Sequence, residues 1–187
     1  MKKYIILSDI HSNFEALKKL EYIEEVKDEN SHIIFAGDYI DGEEQEFEYG
    51  LKVLDYIIEL VEKKKATALL GNHTDNILVV HAGIDWRVNI NEQDDYDLLW
   101  IRNPYIYPNL RIDINDIPKD NLKRIIVTGH TPTAYMTRES ICNIISYEYP
   151  CKRYFIDGGS KMGRKKGHIN VLVLDEFGNE LNRYILK

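Results

Sequence analysis

The residues of this chain that could do chemistry are carboxylates, histidines and one amide, grouped in five short clusters. Each cluster follows a short apolar run that is typical of a buried strand. The clusters are Asp9 with His11, Asp38 with Asp41, Asn72 with His73, His81, and His130. A single Asp after a strand usually caps the next helix. Five such clusters are hard to explain as independent caps, so we expect them to converge where ligands bind in α/β sheets.

The loop Gly37-Asp38-Tyr39-Ile40-Asp41-Gly42 is the expected centre of this site. Asp9 and His11 are two residues apart, so both side chains lie on one face if the strand geometry persists. Carboxylate, imidazole and amide donors suit manganese, zinc or iron rather than a thiolate site. Two ions about 3.5–4 Å apart need a bridging carboxylate. The predicted ligands are Asp9, His11 and Asp38 for one ion, and Asp38, Asn72, His81 and His130 for the other.

Two such ions would hold a phosphoryl group even on an acidic protein. After Asp9 and Asp38 and a bridging hydroxide are counted, one positive charge remains. The metals would lower the pKa of the bound water from about 15.7 to about 7, and this hydroxide would attack in line. His73 has no metal role and adjoins Asn72, so it is the candidate general acid for the leaving oxygen. Asp41 could hold the His73 imidazole in the required tautomer.

Two predicted helices and several short strands position these clusters. Apolar residues recur at helical spacing over 14–26, with Ser12 or Asn13 as the N-cap. A second helix is expected from about Glu46 to Lys63. Its apolar face would consist of Phe47, Leu51, Leu54, Ile58 and Val61. With a third strand over 66–70, the order strand-helix-strand-helix-strand implies parallel strands and right-handed crossovers.

The rest of the chain is predicted to be mostly β, with one short helix over 96–102. An Asp-Glu-Phe-Gly-Asn stretch at 175–179 predicts a hairpin between the last two strands. The expected strands are 77–80, 124–128, 141–147, 153–156, 169–175 and 180–186. One α/β domain over residues 1–187, with a mixed or antiparallel second half, is the simplest interpretation.

Composition and charge restrict the function classes. The net charge of −7 and the isoelectric point of about 5.4 argue against non-specific nucleic-acid binding, which needs a basic surface. They do not exclude a phosphorylated substrate, because bound metals can invert the local field. Cys142 and Cys151 lack metal-site spacing, and Cys142 is expected to be a buried core thiol. The first apolar run, Tyr4–Leu7, is too short for a signal peptide or a membrane span, which predicts a cytoplasmic protein.

Taken together, the clusters form an ordered motif set. In chain order it reads Asp9-x-His11, Gly37-Asp38-x-x-Asp41, Gly71-Asn72-His73, His81-Ala82-Gly83 and Gly129-His130-Thr131. This set resembles the calcineurin-like metallophosphoesterase superfamily, and within it the phosphoprotein phosphatase branch. That branch includes bacterial and phage serine/threonine phosphatases and symmetrical diadenosine tetraphosphate hydrolases. The stretch Asp97-Leu98-Leu99-Trp100-Ile101-Arg102 is also close to the bacterial members.

The resemblance implies an α/β fold, a two-layer β-sandwich of mixed sheets flanked by helices. It implies two divalent metal ions, manganese first, with iron or zinc as alternatives, and the ligand set given above. It also implies His73 as acid, Asp41 as its partner, and a phosphoprotein or a nucleotide polyphosphate as the substrate. Arg102 could contact the phosphate, or it could be a surface arginine at a helix end.

The chain also departs from the family pattern. Related sequences read Gly-Asp-x-x-Asp-Arg-Gly, and here Gly42 and Glu43 stand at the last two places. Only seven residues separate His73 from His81, where relatives carry a longer helical segment. The loop over 161–168, with Arg164, Lys165 and Lys166, could reach a polyphosphate or a phosphopeptide, or it could be a solvated hairpin loop. Tyr105 and Tyr107 could stack a base or pack locally.

Three functions are consistent with this sequence. The first is a metal-dependent phosphomonoesterase that resembles serine/threonine protein phosphatases. The second is a symmetrical diadenosine tetraphosphate hydrolase with the same centre. The third is a catalytically weakened scaffold or binding module on the same fold, which the missing arginine and the short segment would suggest.

Overall fold

The computed structural model describes residues 1–41, 47–69, 76–103, 105–106, 112–163 and 167–187, and the backbone of 71–73. In these ranges the chain forms two five-stranded sheets and five α-helices. The strands are β1 (Lys3–Leu7), β2 (Ser31–Phe35), β3 (Ala66–Ala68), β4 (Gly71–His73), β5 (Ile77–Val80), β6 (Ile125–Thr128), β7 (Ile145–Tyr147), β8 (Arg153–Phe155), β9 (Ile169–Asp175) and β10 (Glu180–Leu186). The helices are α1 (Phe14–Leu17), α2 (Phe47–Glu62), α3 (Asp95–Trp100), α4 (Lys119–Leu122) and α5 (Thr133–Thr137).

Both sheets are mixed. The first has the order β10-β9-β1-β2-β3, in which β1, β2 and β3 are parallel and β9 and β10 are antiparallel additions. The second has the order β4-β5-β6-β8-β7, with β5, β6 and β8 parallel and an antiparallel strand at each edge. The predicted fold class, two mixed sheets flanked by helices, is confirmed. So are the parallel order of the first three strands and the β9–β10 hairpin.

The sheets pack face to face because successive side chains of each strand point to opposite faces. Ile6 and Leu172 belong to the core between the sheets, where they join Val79 and Val127 of the second sheet. Ile5 lies in the core beneath α1 and α2. The outer face of the second sheet is covered by an irregular segment. Its buried side chains are Trp86, Ile90, Tyr105 and Ile117.

A single helix was expected over 14–26, and this prediction is wrong. Helix α1 ends at Leu17, and two 3-10 helices follow, Lys18–Tyr22 and Glu24–Lys27, with an extended residue, Ile23, between them. The apolar residues recur every three positions, a spacing that matches the three residues per turn of a 3-10 helix. They are Phe14, Leu17, Leu20, Ile23 and Val26, and all pack into the core beneath α1 and α2.

The bounds of α2 agree with the prediction, but its predicted buried face is wrong. Phe47 is 82% exposed, and Leu51 and Ile58 are exposed as well. The buried positions are Gly50, Val53 and Ile57. Gly50 lies close to the loop after β1, because a Cβ there would lie 3.2 Å from the Ser12 Oγ. The helix therefore packs its glycine face against the loop after β1.

The strand predicted over 66–70 is shortened to β3, which ends at Ala68 in the first sheet. The Gly71-Asn72-His73 cluster that was expected after it forms a separate strand, β4, on the edge of the second sheet. Asn72 and His73 therefore lie within a strand rather than after one, and Asn72 pairs with Val79 of the antiparallel β5. This β4–β5 pairing accounts for the short separation of His73 from His81. None of the helices in the described part of the chain has the length and apolar character needed to cross a membrane.

Candidate metal centre

The loops after β1 and β2 remain joined beyond the ends of the strands. The backbone N–H groups of Asp9, His11 and Ser12 donate to the carbonyl oxygens of Gly37, Asp38 and Tyr39, at 3.2, 3.0 and 3.0 Å. In the second sheet, the Gly129 N–H donates to the His81 carbonyl at 2.8 Å. Because β1 and β2 are parallel, and β5 and β6 are parallel, these loops leave each sheet at one edge.

Four of the candidate ligands have left-handed backbone conformations. The φ angles are 54° at Asp9, 47° at His11, 48° at Asp38 and 64° at His130. Strand geometry therefore does not persist through Asp9 and His11, and that premise of the prediction is wrong. Asp and His tolerate positive φ better than most residues. Such conformations require about 1–3 kcal/mol of compensation each and cluster at functional sites.

Asp38 lies between two groups of possible metal ligands. Its Oδ2 is 3.4 Å from the Nε2 of His11, and its Oδ1 is 3.5 Å from the Nε2 of His81. The Asp9 Oδ1 is 4.0 Å from the same His11 nitrogen, and the His130 Nδ1 is 3.0 Å from the His81 Nε2. Within each group, Asp9-His11-Asp38 and Asp38-His81-His130, the candidate ligand atoms lie within 4.8 Å of one another.

Two backbone carbonyls fix the orientation of the imidazoles. The His11 Nδ1 lies 2.8 Å from the Asp41 carbonyl oxygen, and the His81 Nδ1 lies 3.0 Å from that of Ala36. A carbonyl oxygen only accepts, so Nδ1 must carry the proton and donate in both residues. The Nε2 of each ring then faces Asp38 and is the nitrogen left to bind a metal. This arrangement is usual for histidines that bind metals.

His130 joins the two sheets at the site. Its backbone N–H donates to both carboxylate oxygens of Asp9 at 3.0 Å. Burial lowers the pKa of the His130 imidazole to about 4, which keeps the ring neutral, as a metal ligand must be. Its Nε2 is buried and has no hydrogen-bond partner among the described residues. The preceding Gly129 is required by space, because a Cβ there would lie 1.9 Å from the Asp9 Oδ2.

A further buried carboxyl group, Asp157, is part of the site and was not predicted. It follows β8, is 2% exposed, and its Oδ1 accepts from the Gly159 N–H at 2.7 Å. Burial raises the pKa of the Asp9 and Asp157 carboxyls, and the negative charge of Asp9 raises the pKa of Asp157 further. An apolar strand followed by Asp157-Gly158-Gly159 resembles the Asp38 pattern. That signal could have identified the residue.

The structure describes the residues predicted for catalysis, and the predicted ligand Asn72, only in part. The backbone of Asn72 and His73 lies in β4, and their side chains lie outside what the structure describes. The Asp41 carboxylate is 87% exposed, and its Oδ2 lies 3.9 Å from the Lys161 Nζ. Gly42 and Glu43 also lie outside the described residues.

A cavity of about 590 Å³ opens over these ligands. Its walls include Arg102 and Lys161, and the exposed rings of Trp100 and Tyr135. The positive charge of Arg102 contributes to the lowered pKa of His130, which places the guanidinium near that ligand. Tyr105 is fully buried and stacks on Trp86, with ring centroids 5.6 Å apart, so it packs locally. Tyr107 and residues 164–166 lie outside the described ranges.

Comparisons with known proteins agree with this fold. A family model described as calcineurin-like phosphoesterase matches residues 2–158. A crystal structure described as a "putative diadenosine tetraphosphatase" is similar, with a TM-score of 0.58 and 16% identity, covering 100% of this chain and 94% of that one. A serine/threonine phosphatase from Saccharomyces cerevisiae, with similarity to human phosphatase PP5, has a TM-score of 0.60 and 11% identity, covering 100% and 80%. No curated protein matches the chain.

Proposed function

Because the chain belongs to the calcineurin-like phosphoesterase family, we propose that it hydrolyses a phosphomonoester with two divalent metal ions bound at Asp38. The observation that carries this proposal is the position of Asp38. Its two carboxylate oxygens face His11 on one side and His81 on the other, at 3.4 and 3.5 Å. One carboxylate with an oxygen toward each of two ligand groups is what a shared ligand requires.

The residues present fit divalent cations. Two buried carboxyl groups, Asp9 and Asp157, have raised pKa values because burial disfavours their charge, and a cation would relieve this. The imidazoles of His11 and His81 present their Nε2 atoms on the side of Asp38, because their Nδ1 atoms donate to backbone carbonyls. Manganese is our first choice, and the donor set also suits iron or zinc. The proposed ligands are Asp9, His11 and Asp38 for one ion, and Asp38, Asn72, His81 and His130 for the other.

When bound, the two ions would acidify a coordinated water and neutralise charge on the phosphoryl oxygens. The chain itself would orient the substrate and supply a proton. Arg102 lines the cavity, and its planar guanidinium can donate two parallel hydrogen bonds to a phosphoryl group. His73 would protonate the leaving oxygen, with Asp41 holding its tautomer. The support for His73 is its place beside Asn72 in β4.

The preferred substrate class is a phosphomonoester, as in serine/threonine protein phosphatases. A symmetrical diadenosine tetraphosphate hydrolase is the second candidate. One observation favours it: the rings of Trp100 and Tyr135 line the same cavity and are 59% and 67% exposed. Exposed aromatic rings beside a phosphate site can stack a nucleobase.

The test is a substrate panel with metal-stripped protein that is reloaded with Mn²⁺. The panel contains p-nitrophenyl phosphate, its bis-ester, a phosphopeptide and diadenosine tetraphosphate. We expect turnover of the monoesters, with a loss of at least about 100-fold in Asp38→Asn, since even indirect partners of metal ligands cost about 10–100-fold. His73→Ala should slow a substrate with a poor leaving group more than p-nitrophenyl phosphate.

Each other outcome of the panel has a defined meaning. Diadenosine tetraphosphate as the best substrate would replace the phosphomonoesterase by the second candidate. Two bound ions with no turnover of any substrate would favour a binding module on this fold. Unchanged activity in Asp38→Asn would contradict the two-ion centre itself.

A further inference from the structure

Lys161 is a cation of the cavity to which the proposed function gives no role. Among the described residues that line the cavity, the cationic ones are Arg102 and Lys161. The loop after Asp38 contains no cationic residue, since residues 42–46 are Gly, Glu, Glu, Gln and Glu. The carboxylates that line the same space are Asp38, Asp41 and Asp157. In the part of the chain that the structure describes, a substrate phosphate would therefore find these two protein cations.

The backbone that carries Lys161 is fixed to the candidate metal centre. Lys161 lies in a 3-10 helix, Ser160–Met162. The Ser160 hydroxyl donates to the Ile10 carbonyl at 3.0 Å, between Asp9 and His11, and accepts from the Asn13 side chain at 3.3 Å. The residue before the helix, Gly159, donates to the Asp157 carboxylate at 2.7 Å. The lysine thus extends from a turn that is held by the ligand loop.

The present partner of Lys161 is weakly held. Its Nζ is 3.9 Å from the Asp41 Oδ2, beyond hydrogen-bond distance, and the two side chains are 52% and 87% exposed. Exposed ion pairs of this kind contribute little to stability, because solvent screens the attraction between the charges. A phosphoryl oxygen that accepts a charge-assisted hydrogen bond can therefore displace Asp41 at little cost.

We propose that Lys161 binds the phosphoryl group of the substrate opposite Arg102, exchanging the Asp41 carboxylate for a phosphoryl oxygen. This inference rests on the proposed function and deepens it, because it names the substrate as a phosphate dianion. A monoester carries the second negative charge that a second cation matches, and a diester does not. Lys161 would then be a residue that determines specificity for monoesters over diesters.

The test measures binding of inorganic phosphate to the Mn²⁺-loaded protein by calorimetry, beside the turnover of p-nitrophenyl phosphate and its bis-ester. Lys161→Gln should weaken phosphate binding about 10-fold or more, since a hydrogen bond to a charged group contributes about 1.5–3 kcal/mol. It should lower kcat/KM for the monoester by a similar factor and leave the bis-ester within about threefold. Lys161→Arg should retain most of the phosphate affinity, because it keeps the charge.

The matched control is Lys123→Gln, another exposed lysine that pairs with an aspartate, Asp120, at 2.9 Å, outside the cavity. It should change neither phosphate binding nor turnover. The number of Mn²⁺ ions bound should be equal in all three variants and the wild type.

Two results would overturn the inference. One is a phosphate dissociation constant in Lys161→Gln within twofold of the wild type. The other is no binding of phosphate by the wild-type Mn²⁺ protein. Failure of the proposed function is distinguishable, because a protein with no turnover that still loses phosphate affinity in Lys161→Gln contradicts only the catalysis.

Discussion

Two regions of this protein bury charge, and they do so in opposite ways. Arg153 is fully buried, and its guanidinium donates to the carbonyl oxygens of Tyr105 and Tyr149. Four aromatic rings lie 5.3–5.7 Å from it, those of Trp86, Tyr105, Tyr147 and Phe155. At the Asp38 centre, the carboxylates of Asp9 and Asp38 and the Nε2 atoms of His11 and His81 face one another. The first region supplies its own partners for a buried cation, and the second consists of acceptors that need one.

A buried charge with a structural role and one with a functional role differ in the groups that surround them. Both regions bury charged or polar groups, Arg153 in the first and Asp9, His81 and His130 in the second, although the Asp38 side chain itself is 42% exposed. What differs is whether donors meet acceptors. Acceptors that meet acceptors raise the free energy of the metal-free protein unless a cation binds. The following predictions test this difference, beginning with the largest expected effect of a single substitution.

Arg153→Met should lower the free energy of unfolding by about 2–4 kcal/mol. It leaves the buried Tyr105 carbonyl and the part-buried Tyr149 carbonyl without their donor, at about 1–3 kcal/mol each, and the recovered desolvation energy of the charge offsets part of this. Urea unfolding would measure this change in the free energy of unfolding, with Lys123→Met as the surface control. The loss should be equal with Mn²⁺ and with EDTA. A loss that disappears when the metal is removed would mean that the two regions are not independent.

Mn²⁺ should stabilise the stripped protein, because the ions bind the folded site and not the unfolded chain. At a free concentration of 100 times the dissociation constant, each site contributes about 2.7 kcal/mol. Thermal unfolding at several Mn²⁺ concentrations checks this, and Tm should rise with concentration. A Tm that is independent of Mn²⁺ would contradict the assignment of the acceptor cluster to metal binding.

Asp157→Asn should give a smaller effect that depends on pH. Burial raises the pKa of the Asp157 carboxyl above its usual 3.8, so the folded state loses stability as pH rises through the interval between the unfolded and folded values. Asparagine keeps the acceptor for Gly159 and removes the charge. The metal-free variant should be more stable than the wild type at pH 7, with the gain vanishing near pH 4. A variant that is less stable at pH 7 would show that the carboxylate is already compensated.

Much of the centre could be predicted from the sequence because it depends on local patterns. Asp9, Asp38, His81 and His130 each follow a short buried strand, and parallel strands bring such ends to one edge. Asn72 could not be placed correctly, because the chain changes sheets between Ala68 and Gly71, and local residue preferences do not encode that choice of partner strand.

Other errors also have physical causes. The buried face of α2 was predicted wrongly from its large apolar residues. The helix instead packs the face that carries Gly50, which lies close to Ser12. The first helix was predicted wrongly because its apolar residues recur every three positions, a spacing that suits 3-10 geometry. Lys161 and Asp157 were not assigned, because their proximity to Asp41 and Asp9 depends on contacts between segments more than 100 residues apart.

The central claim is that Asp38 is shared by two ions, and Mn²⁺ titration by calorimetry tests it most directly. The wild type should bind two ions per chain. His11→Asn should weaken one site and His81→Asn the other, whereas Asp38→Asn should weaken both by at least about 10-fold. If the wild type binds two ions and only one site weakens in Asp38→Asn, Asp38 is not a ligand of both ions.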